Sequence, residues 1–120
     1  MKDFRKYKVW EKSHQLTLMI YNLTDSFPKI ETYGLISQMQ RATSSIAINI
    51  SEGCGYETDA EFRRFLKIAS RSSSEVEYLL ILIKDLKYII EDKFNEVSND
   101  LIEIRNMLNK LIQTLKAKSQ

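Results

Sequence analysis

The 120-residue sequence predicts an all-α fold, an antiparallel up-down four-helix bundle in a single domain. Three observations carry this. Apolar residues recur at alternating steps of three and four in four separate stretches. The whole chain has only three glycines and one proline, too few for a turn-rich β fold. No stretch sustains the period-two alternation of a half-buried strand.

The first helix is expected over about 9–27, on Val9, Ser13, Leu16, Ile20, Leu23 and Phe27, with Pro28 ending it. The second, about 33–53, carries Leu35, Met39, Ala42, Ile46, Ile50 and Gly53 on one stripe, with Thr32 as N-cap. The third, about 58–90, is the longest. Phe62, Phe65, Ala69, Ser72, Val76, Leu79, Ile83, Leu86 and Ile90 keep a strict heptad-like seam. The fourth, about 93–117, repeats the pattern with Phe94, Val97, Leu101, Ile104, Leu108, Leu111 and Leu115. Short connections and inward-facing seams favour antiparallel neighbours crossing at roughly 20°.

The connection between the second and third helices reads "NISEGCGYET", residues 49–58, and holds two of the three glycines and the single cysteine. A phosphate-binding loop needs a preceding strand and a Gly-Lys-Ser/Thr ending, and neither is present. The stretch reads instead as a corner. Gly53 or Gly55 closes the second helix in a left-handed conformation, and Thr58 with Glu61 opens the third as a capping box. Cys54 is then a small corner residue.

Composition excludes several classes of function. The longest apolar run, Tyr78 to Ile83, is far short of the ~20 residues that span a bilayer, so no membrane partner is expected. No apolar segment follows the basic N-terminus, and the lone cysteine allows no internal disulfide, which fits a cytoplasmic protein. Glu11 and His14 have the spacing of a di-iron bundle motif, but such sites need two motifs and the chain has one histidine. No zinc-type cluster, nucleophile–base pair or paired carboxylate set emerges. The expectation is no catalytic residue, no metal and no cofactor.

Two polar sets remain. Gln38, Arg41, Ser45, Asn49 and Glu52 line one flank of the second helix, and Arg41 is its one charge between Leu35 and Ser51. A charge in a buried flank needs a partner, for which Glu52, Glu75 or Glu77 qualify. This set is expected to be a buried or inter-subunit network that fixes register. Arg63, Arg64, Lys67 and Arg71 form the second set, near one face of the third helix. Such a face is either simply solvated or tracks phosphates, which makes these four residues the candidate nucleic-acid contact. Both termini are also basic: Lys2, Arg5, Lys6, Lys8 and Lys12 at one, Lys110, Lys116 and Lys118 at the other. They are either solvated tails or a rim for an anionic partner. The net charge of +2 does not by itself imply nucleic acid.

Apolar residues beyond one seam on the third helix (Leu66, Ile68, Leu80, Ile81, Leu82, Tyr88 and Ile89), and the nearly uncharged second helix, predict self-association through these two helices.

Several motifs occur in order: "YKVW" at 7–10, Phe27-Pro28, "ETYGL" at 31–35, "QMQRA" at 38–42, Ser45-Ile46, "NISEG" at 49–53, Glu61-Phe62, Phe65-Leu66, and Ser72 through Glu75 to Glu77. Together they resemble the bacterial four-helix-bundle proteins encoded within intervening sequences of the large-subunit ribosomal RNA gene. The likeness covers nearly the whole chain and is strongest from Val9 to Glu77. It implies a bundle that assembles as a ring, a pentamer, with no known enzymatic activity. A relative in diversity-generating retroelements is a basic pentamer that binds a reverse transcriptase and nucleic acid. By analogy the resemblance implies a binding or scaffold module for structured RNA such as ribosomal RNA, or an adaptor for a nucleic-acid enzyme without direct RNA contact. The sequence departs from the family pattern at Cys54 to Thr58, which lacks the basic residues common there, and at Arg71-Ser72, where Gly-Ser is typical.

Overall fold

The computed structural model describes residues 2–118, and every statement of absence below concerns those residues. Four helices carry the fold: α1 (Lys8–Thr24), α2 (Ser37–Cys54), α3 (Asp59–Asp85) and α4 (Glu91–Lys118). Each packs on the next, and α4 returns to α1, so the bundle runs up and down in chain order. It measures 48 × 23 × 20 Å.

The seams face inward as the spacing predicts except at the end of the third, where Leu86 and Ile90 lie beyond α3 and are exposed and Ser73 rather than Ser72 is the buried serine. Leu16, Ile20, Met39, Ile46, Ile50, Phe62, Leu66, Val76, Leu80, Ile83, Leu101, Ile104 and Leu108 are buried in one core. Each such side chain contributes on the order of 1.5–3 kcal/mol on leaving water. Hydroxyls inside the bundle are satisfied locally. Ser13 donates to the Val9 carbonyl at 2.7 Å and Thr43 to that of Met39 at 2.7 Å.

The helix ends differ from the sequence expectation, for identifiable reasons. α1 stops at Thr24 rather than Phe27, because the Ser26 and Phe27 N–H groups turn back to the carbonyls of Leu23 and Thr24. Thr32 does not cap α2. Its hydroxyl donates to the Lys29 carbonyl at 2.7 Å, and Thr32–Ile36 forms a π-helical turn that runs into α2. α3 ends at Asp85, five residues before Ile90. There Lys87 adopts φ 63°, the Tyr88 N–H donates to Ile83 O at 2.9 Å and the Lys87 N–H to Lys84 O at 3.0 Å. This is a Schellman closure with a lysine where glycine is usual. It frees Tyr88 to pack its ring at a tilt against Phe27 (centroids 5.2 Å) and to donate to Glu31 Oε2 at 2.9 Å.

The α2–α3 corner closes without a left-handed glycine: Gly55 has φ −77° and the Gly55 N–H donates to Glu52 O at 3.0 Å. Gly53 serves close approach instead. A Cβ there would lie 2.8 Å from Phe65 Cβ and 2.9 Å from Phe62 Cδ1. Thr58 does cap α3, accepting from the Glu61 N–H at 3.1 Å and donating to Glu61 Oε1 at 2.9 Å.

Candidate nucleic-acid interface

The up-down arrangement decides which charges meet. The start of α1, the α2–α3 corner and the end of α4 all lie at one end of the bundle. The Lys2 N–H donates to Cys54 O at 3.1 Å, which ties the N-terminal segment to the end of α2. The Lys2 ammonium sits 5.1 Å over the Phe62 ring of α3. Tyr7 and Lys8 share a shallow hollow with Met107, Lys110 and Thr114 of α4, and Lys2 and Arg5 line another with Ser51 and Gly55.

The basic sets at both termini and on α3, separate in sequence, therefore fall in one half of the bundle, with Arg71 near its middle. Ser45–Ser72 and Arg105–Ser73 contacts mark the middle of the bundle. The half built from residues 2–14, 47–71 and 106–118 carries twelve Lys and Arg against six Asp and Glu. The other half, 15–46 and 72–105, carries six against ten. A net charge of +2 thus conceals about +6 at one end and −4 at the other.

Within the basic half, Arg64, Lys67 and Arg71 are exposed and pair with no carboxylate. The Arg64 guanidinium lies 4.6 Å over the Phe65 ring, which itself stacks on Tyr56 at 4.9 Å. That stacking holds the cation in place while its N–H groups stay free for phosphate. Arg63 is half-buried beside them. The lysines near the end of α4 also suit the partial negative charge of a helix C-terminus.

The polar flank of α2 is assembled only in part. Ser45 and Ser72 hydroxyls meet at 3.0 Å, and the Asn49 amide donates to the Ser45 carbonyl (2.8 Å) and hydroxyl (3.0 Å). Gln38, Glu52 and Glu75 are exposed and outside this contact. Arg41 is exposed too and donates to the Ser37 hydroxyl at 3.2 Å, so within the chain it is no buried charge and needs no carboxylate. The strongest polar tie between helices is one the periodicity did not reveal. Arg105 of α4 donates to the Ser73 hydroxyl (3.0 Å), the Ser73 carbonyl (3.1 Å) and Glu77 Oε1 (3.2 Å) on α3. Its only trace in sequence is an arginine next to the seam residue Ile104.

Much of the apolar surplus predicted for α3 is used inside the chain: Leu66, Leu80 and Ile89 are buried, and Ile68, Leu82 and Tyr88 half-buried. On the outer faces of α2 and α3, Ile48, Tyr78 and Ile81 remain about half exposed.

No cluster of His, Cys, Asp and Glu among the described residues has a metal-binding arrangement. His14 is exposed and stacks on Trp10 at 5.2 Å. Burial pushes the Cys54 thiol above its ordinary pKa, Lys2 opposes the shift and Asp3 adds to it, so the thiol stays protonated at neutral pH. No helix among the described residues is long and apolar enough to cross a membrane.

A family model described as the 23S rRNA-intervening sequence protein matches residues 5–110. The chain belongs to this family. A solved structure similar to it comes from Bacteroides thetaiotaomicron and is described as a protein with unknown function from the S23 ribosomal protein family. The two are 29% identical with a TM-score of 0.81, over 88% of this chain and 95% of that one. Curated proteins give no match. Neither the family description nor the solved relative indicates catalysis. The S23-type fold seen there is the four-helix bundle described above.

Proposed function

We propose that this family member is a non-catalytic binding module: a bundle that self-associates through the outer faces of α2 and α3 into a ring and holds structured RNA against its basic end. The observation that carries the RNA part is the convergence of cations from both termini and α3, with Arg64, Lys67 and Arg71 unpaired and exposed. Three or more phosphates contacted along such a face would release counterions, and affinity would fall steeply with salt. The family's connection to ribosomal RNA supports the same ligand class. For the ring, the support is the exposed Ile48, Tyr78 and Ile81 together with the nearly uncharged surface of α2. Repetition around a ring would multiply the basic patch.

Fluorescence anisotropy with a labelled RNA hairpin at increasing salt tests the RNA part. Arg64→Glu combined with Arg71→Glu is expected to weaken binding about tenfold or more. It should also flatten the salt dependence by about one log–log unit per lost contact. Unchanged binding places the ligand elsewhere. A monomeric mass by light scattering at micromolar concentration sinks the ring.

A further inference from the structure

The end opposite the basic one is built differently. Here the α1–α2 and α3–α4 connections are clasped by the Tyr88–Glu31 hydrogen bond and by the Phe27 ring packed at a tilt against Tyr88. Around this clasp large apolar side chains face solvent: Ile30 is 88% exposed, Tyr33 97% and Ile90 73%, with Leu86 at 44%. Tyr33 projects from the π-helical turn, a rare geometry that recurs at functional sites. Leu86 adjoins the left-handed Lys87. Both corners thus hold less common backbone while presenting apolar groups outward, and such a patch marks an interaction surface.

Charge narrows the occupant. Residues 25–36 and 85–92 carry five carboxylates against two lysines. A second copy docked tip to tip would bring like charges together. A second copy docked by its basic end would offer few apolar knobs, since Ile48 and Tyr56 are the large hydrophobics exposed in that half among the described residues. The end is also narrow, with the backbone spanning 23 × 20 Å across the bundle, which suits a slender partner better than a broad globular one.

We propose that this end docks a short polypeptide segment of another protein, an amphipathic helix with apolar anchors flanked by Lys or Arg. Ile30, Tyr33 and Ile90 supply the apolar contact, and Asp25, Asp85 and Glu91 the complementary rim. The proposal is independent of the RNA reading, because Arg64 and Arg71 lie in the other half.

The test uses the full chain and two synthetic 18-residue amphipathic helices with the same leucine face, one carrying Lys and the other Glu on its polar face. Binding at physiological salt is read by fluorescence anisotropy. The Lys peptide is expected to bind about tenfold or more tighter than the Glu peptide. Ile30→Ser with Ile90→Ser, and separately Tyr33→Ser, should each weaken it severalfold or more, as loss of apolar anchors does. All three positions are exposed, so unchanged circular-dichroism melting accompanies the loss. Equal affinity for the two peptides, no binding of either, or undiminished binding by both variants overturns the proposal. So does a self-association seen by light scattering that Ile30→Ser with Ile90→Ser abolishes, since the occupant is then a second copy.

Discussion

The two ends of this bundle share one core but are closed by different chemistry. At the basic end, Gly53 lets α2 settle onto Phe62 and Phe65, and Lys2 and Arg64 lie over those same rings. The aromatic groups there are used to seat cations. At the acidic end, a lysine in a left-handed turn and a tyrosine hooked onto Glu31 close the corner, and Ile30, Tyr33 and Ile90 are left outside. At physiological salt the Debye length is about 8 Å, far less than the 48 Å length of the molecule. The ends therefore present their charges independently, and the small net charge describes neither.

Three experiments test this contrast. The largest effect is expected from Gly53→Val at the tightly packed end. Its added atoms meet Phe65 Cβ, which is anchored to the backbone and cannot swing away. Overpacking of this kind costs on the order of 3 kcal/mol, seen as a fall in Tm of about 10 °C. An unchanged Tm would mean that α2 and α3 are not held this closely. At the other end a substitution should help. Lys87→Gly relieves a left-handed lysine and should raise stability by about 0.5–1 kcal/mol by urea denaturation. A loss would show that the lysine side chain itself stabilises the corner.

The smallest effect is a pH dependence that both ends share. The Tyr7 hydroxyl is raised above 10.0 by burial first, then by Cys54 and Asp59. The Tyr88 hydroxyl is raised chiefly by its hydrogen bond to Glu31, and Cys54 is raised above 9.0 chiefly by burial. A group whose pKa is raised by folding stabilises the fold below its unfolded value, and that contribution is lost as pH climbs through the folded value. Tm should hold up to about pH 8 and decline above about pH 9. Cys54→Ala should remove the early part of the decline, set at the basic end. Tyr88→Phe should remove a later part, set at the acidic end. A profile that neither variant changes refutes these assignments.

The helices were legible in the sequence because burial imposes a three-four spacing on any helix that packs along one face. The Thr58 cap was legible because it is a contact within one turn. Helix ends were less so. The seam of α3 continues in sequence to Ile90, yet the helix stops at Asp85, because Tyr88 gains a ring contact with Phe27 and a hydrogen bond to Glu31, both more than fifty residues away. Arg41 stood out as a lone charge in an uncharged helix, but whether a flank is buried depends on what packs there. Among the described residues Arg41 stays exposed, while Arg105, inconspicuous in its sequence, ties α3 to α4.

The four basic residues of α3 were visible as a set, and the basic termini as two others. Their gathering in one half of the bundle is not readable in the sequence, since it depends on which helix ends lie together. The helical class and most of each seam were set by the sequence alone, because they follow from local periodicity. Where charge accumulates, which apolar groups stay outside and which glycine is needed for contact depend on how the helices pack. Those properties belong to distances between residues far apart in the chain, and only packing sets them.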